Sequence, residues 1–74
     1  MELDTLENKA VELLRSRLER GTITTLTAKV DPNDKELVTV DGKFEDEGGR
    51  LSNFQVKFRV RQEEVEVLSW YVSG

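Results

Sequence analysis

The stretch VKFRVRQEEVEVLSWYV, residues 56–72, reads as two alternating strands joined by a charged turn. Centring the turn on Gln62 and Glu63 sets Val60 opposite Val65, Phe58 opposite Val67 and Phe54 opposite Tyr71 on one face. On the other face Arg61 meets Glu64 and Arg59 meets Glu66. One register satisfies both faces, so an antiparallel hairpin is expected. Its exposed ion pairs are worth ~0.2–1 kcal/mol each, and they specify pairing more than they stabilise it. Continued past Val67, the alternation turns Ser69 and Tyr71 inward and Leu68, Trp70 and Val72 outward. The outer side of this strand then changes from acidic to apolar midway. Either a bulge or a terminal segment folded over the sheet buries Trp70, the only tryptophan, within the domain, or these residues form a partner surface. Tryptophan is enriched at binding hot spots, and an apolar cluster on an edge strand is a liability unless covered.

The period of two extends upstream to Thr22. In TITTLTAKVD, Leu26, Ala28 and Val30 share a face, and DPNDK supplies a turn in which Pro32 presets φ. ELVTVDGKFED places Val38, Val40, Gly42 and Phe44 together, Gly48 and Gly49 mark another reversal, and LSNFQVKFRVR turns Phe54, Val56, Phe58 and Val60 inward. Gly42, inside a strand and facing the helix, marks a bulge or a close approach of the helix backbone.

Before Thr22 the period is helical. Leu3, Leu6, Ala10, Leu13, Leu14 and Leu18 fall on one side with Val11 on the flank, so this helix must lay a stripe on something apolar. Asp4 stands where an N-cap belongs, Glu7 completes a capping box, and Gly21 follows as a stop. The expected fold class is therefore α+β: an N-terminal helix packed on one face of a four-stranded antiparallel meander, αββββ, in one domain covering residues 1–74. The element order resembles the helix-then-sheet part of cystatin-like folds, without their first strand and without their inhibitory motif. The resemblance implies architecture and no function.

A chain of 74 residues buries only about 60% of its unfolded surface, which leaves little material for a deep catalytic cleft. Apolar residues make up 36% and charged residues 35%, the balance of a small globule with a well-charged surface. There is no Cys or His. Disulfides, thiolate chemistry, the usual zinc ligands and the usual general base are thereby excluded. MELDTLENKA lacks the profile of a signal peptide and no apolar run approaches a membrane span, so the expected location is the cytoplasm, with no membrane partner. The net charge of −4 argues against nonspecific nucleic-acid binding.

The acidic run FEDEGG, with Glu45, Asp46 and Glu47, reads as a solvated turn, since consecutive loop carboxylates diverge. DPNDKE lacks the glycine a calcium loop needs, and GKFEDEGGR matches no phosphate-binding loop. Lys57, Arg59 and Arg61 form an outward basic stripe. With Trp70 on their face, a platform for single-stranded nucleic acid is the alternative reading, weakened by Glu64 and Glu66 opposite the arginines. Arg17 lies within the helical apolar stripe. Its stem snorkels past the sheet edge, or it anchors an anion or a partner carboxylate.

The sequence thus points to a non-catalytic protein-interaction module without cofactors. Self-association, with a homodimer as its simplest form, and docking to a larger protein both fit. Leu68, Trp70 and Val72 would be the apolar anchors, with Lys57, Arg59 and Arg61 in the polar rim. A carrier for a small apolar ligand between helix and sheet is a further alternative.

Overall fold

The computed structural model describes residues 3–18 and 21–73, with side chains for all of these except 16–18. Helix α1 (Leu3–Leu18) is followed by strands β1 (Thr22–Asp31), β2 (Asp34–Glu45), β3 (Leu51–Arg61) and β4 (Glu64–Ser73). The four strands form one antiparallel sheet in the order β1-β2-β3-β4. This is the αββββ arrangement that the change of period at Thr22 implies.

Alternation converts that pattern into three apolar rows crossing the sheet. One runs Val30, Val38, Phe58, Val67; the next Ala28, Val40, Val56, Trp70; the third Leu26, Gly42, Phe54, Val72. Helix α1 lies on this face, chiefly against β1 and β2. Leu6, Ala10 and Leu14, spaced to share one side of the helix, join Val38, Val40, Phe44, Phe54, Val56 and Phe58 in a single buried core. Full burial of a Phe, Leu or Val contributes about 1.5–3 kcal/mol each. The core contains no polar or charged side chain among the described residues. Leu3 and Leu13, on the border of the helical stripe, remain more than a third exposed.

The helix begins at Leu3, so Asp4 is inside its first turn. There its carboxylate favours the helix dipole, but it does not occupy the cap position that the sequence suggested. Gly21 does not owe its place to a left-handed backbone: a side chain there would overlap the ring of Phe44. Gly42 likewise makes room for an aromatic ring, that of Phe54, and the close neighbour is this ring instead of the helix. The bulge that Gly42 hinted at is one strand over, between Ile23 and Thr25 of β1.

The turns use three different devices. At Pro32–Asn33 the Asn33 amide donates to Oδ1 of Asp31 at 2.7 Å. In the longer β2–β3 loop one oxygen of Asp46 accepts from the amides of Gly48 and Arg50, each at 2.9 Å, and Gly49 takes a φ of 83°. The β3–β4 turn is a two-residue loop in which Gln62 and Glu63 both have positive φ, 44° and 74°. That is the backbone of a primed hairpin turn, which matches strand twist but ordinarily selects Asn-Gly.

Candidate functional site

The β3–β4 ladder follows the register expected from the sequence for its first half: Arg61 opposite Glu64, Val60 opposite Val65, Arg59 opposite Glu66 and Phe58 opposite Val67. Then it slips by one. Lys57 faces Ser69, leaving Leu68 unpaired, and from there Val56 faces Trp70, Gln55 faces Tyr71 and Phe54 faces Val72. Leu68 is the extra residue of a β-bulge.

Because side chains alternate with a period of two, one inserted residue exchanges the faces of everything beyond it. Trp70 and Val72 stand on the helix-bearing face, and Tyr71 and Ser73 on the outer one. The expectation that Leu68, Trp70 and Val72 share an outward face fails for Trp70 and Val72. The pairing of Phe54 with Tyr71 fails for the same reason. The bulge was one of the two explanations open for Trp70, and it is present.

The bulge does not bury these residues fully. Since α1 sits over β1 and β2, the β4 end of the core face is only partly covered. Val67 is 44% exposed, Trp70 39% and Val72 37%; beside them Leu68 is 43% and Tyr71 50% exposed. The strand is also a sheet edge, so one side of its backbone has no ladder partner within the domain.

The basic stripe has a different setting from the expected one. Arg59 Nη1 donates to Glu36 Oε1 at 3.2 Å and lies 3.6 Å from Asp34 Oδ2, and Arg61 Nε donates to Glu36 Oε1 at 3.1 Å. Both guanidinium groups therefore turn to β2. Glu64 and Glu66 hold their backbone register across from them, and the shortest ion pairs go to Glu36 instead. The sequence offered no sign of Glu36, because its contact depends on how β2 and β3 align beyond Leu37 and Arg59. Lys57 is exposed on the outer face in the row of Ser69, opposite to the face of Trp70. The stacking platform of Lys57, Arg59, Arg61 and Trp70 on one surface is therefore not assembled. The side chain of Arg17 lies outside the described residues.

The outer face carries a shallow groove of about 340 Å³ bordered by Thr25, Thr27, Asp41, Lys43, Asn53 and Tyr71. Gln55 donates to Asp41 Oδ1 at 2.8 Å beside it. Gly42 and the core residue Phe54 also line the groove, so its surface is mixed polar and apolar. Among the described residues no group of three His, Cys, Asp or Glu side chains is arranged to hold a metal ion. No helix among them is long and apolar enough to cross a membrane. Comparison of the chain with known protein families, curated proteins and solved structures finds no match.

Proposed function

We propose that this chain is a non-catalytic protein-interaction module that docks its partner along β4. The observation that carries the reading is the coincidence, on one edge strand, of an open backbone ladder and five apolar or aromatic side chains each more than a third exposed. An edge strand of this kind adds a strand from a partner. Main-chain hydrogen bonds give affinity, and the side chains to either face give selectivity. Trp70 and Tyr71, on opposite faces, serve as anchors, with Glu64 and Glu66 as the polar end of the same strand.

The test uses the immobilised chain as bait, with its own free copies and extracts of the source cell as prey. Capture is expected for the native chain and for Lys29→Glu on the opposite edge, and is expected to be lost in Val67→Lys, which sets a charge within the apolar part of β4. Equal capture by all three, or none by the native chain, overturns the reading.

A further inference from the structure

We infer that the partner is a second copy of this chain, added antiparallel to β4 about a two-fold axis at the Leu68–Ser69 bulge, so that two four-stranded sheets join into one. The inference rests on the reading of β4 as the docking edge and specifies what docks there.

A two-fold axis perpendicular to a sheet pairs a strand with its own copy, and it requires the facing pattern to read the same in both directions from the axis. A bulge within such a strand spoils this symmetry unless it lies on the axis itself. In β4 it does. With Leu68 and Ser69 counted as one ladder position, Val67 and Trp70 flank the bulge on the helix-bearing face. Glu66 and Tyr71 come next on the outer face, then Val65 and Val72, then Glu64 and Ser73. Each residue therefore meets, in the second copy, a residue of its own face: Val67 with Trp70, Val65 with Val72, Glu66 with Tyr71 and Glu64 with Ser73.

Charge selects the same register. Both acidic side chains lie in the first half of the strand, so this pairing places each against a neutral residue. Sliding the axis to Glu66 would set that carboxylate against its own copy, which is unfavourable. Sliding it toward the C-terminus would pair only a few residues and oppose the bulge to regular strand.

The backbone also complies. The two-residue turn makes Arg61 and Glu64 a hydrogen-bonded pair, so the amides and carbonyls of Val65 and Val67 point to the free edge. After the slip Trp70 and Val72 take over that role, because they face Val56 and Phe54. About eight main-chain hydrogen bonds result along an edge roughly 33 Å long. The opposite edge is unsuited: β1 carries Lys29, is followed directly by Pro32, has its own bulge and runs beside α1.

The chain contains no cysteine, so paired probes read the register directly. An oxidised mixture of Glu64→Cys and Ser73→Cys is expected to give the cross-linked heterodimer, while either variant alone is not, since each residue is far from its own copy. In a concentration series of solution mass the native chain is expected to reach the dimer. Tyr71→Glu, which sets a carboxylate opposite Glu66 of the second copy, should weaken association roughly tenfold, and adding Glu66→Lys should restore it. A dimer without the mixed cross-link overturns the inference by showing another interface. A native chain that is monomeric at every concentration overturns it too. If that monomer still captures another protein through β4, the interaction reading survives; if it captures nothing, both fall.

Discussion

Trp70 stands directly across the β3–β4 ladder from Val56, in a row that continues through Val40 to Ala28. The widest side chain of the protein closes the row that ends in one of the smallest. Its position depends on one unpaired residue, because without the slip at Leu68 the same strand would present Tyr71 in this face.

Deletion of Leu68 tests that account. Removing the extra residue leaves Ser69 opposite Lys57 and Trp70 opposite Val56 in a regular ladder, so every later side chain keeps its face. The deletion variant is expected to fold with an unchanged Trp70 emission maximum and a stability within about 1 kcal/mol of the native chain. A shifted emission, or loss of the cooperative urea transition, would show that the bulge is required for the sheet and not merely tolerated.

Gly42→Ala is expected to destabilise by about 1–3 kcal/mol. The added Cβ would overlap the ring of Phe54 and come within 2.7 Å of the Thr25 carbonyl oxygen, and neither a sheet backbone nor a ring that is 1% exposed can withdraw freely. Urea unfolding of Gly42→Ala beside Gly42→Ala with Phe54→Leu separates the two obstacles. Partial recovery in the double variant assigns the cost to the ring, and no recovery assigns it to the backbone.

The β3–β4 turn holds two non-glycine residues at positive φ, where L-residues pay roughly 1–2 kcal/mol each. Replacing them together, Gln62→Asn with Glu63→Gly, should relieve part of this strain and raise stability by about 1 kcal/mol. For a domain of this size that moves Tm by roughly 4–8 °C. A thermal scan that shows no rise would mean that the Gln62 and Glu63 side chains make compensating contacts.

One carboxylate oxygen of Glu36 accepts from two guanidinium groups at once. Since all three side chains are more than a quarter exposed, Glu36→Gln should cost only about 0.5–1 kcal/mol, and less in high salt. Glu64→Gln and Glu66→Gln should cost less still. A larger loss for Glu66→Gln than for Glu36→Gln in urea titrations would restore β4 as the principal counter-charge of Arg59.

Much of the architecture follows from local pattern alone. The change from helical to two-residue period at Thr22 separates α1 from the sheet, and Val38, Val40, Phe54, Val56 and Phe58 name the buried face because each alternates with a polar neighbour. The pairing of Val60 with Val65 and of Phe58 with Val67 also follows, because opposite charges and matched apolar faces admit one register around Gln62 and Glu63. Local pattern misleads where a cross-strand contact decides the outcome. The excess residue at Leu68 shows in the sequence only as the change of the strand's outer side from acidic to apolar, which a bulge and a partner surface explain equally well. Its effect is to set Trp70 and Val72 beside Val56 and Phe54, a gain that exists only once β3 is in place.

Thus the sequence by itself determined the elements, their order, the core face of β2 and β3, and the first half of the last hairpin, all from interactions between residues near in the chain or in one ladder. Only the tertiary structure decided which face holds Trp70 and that Glu36 holds the arginines. It also decided that Gly21 and Gly42 exist to admit the rings of Phe44 and Phe54. The physical reason is the same in each case: the deciding free energy lies between strands, in burial and close packing that no single stretch of chain contains.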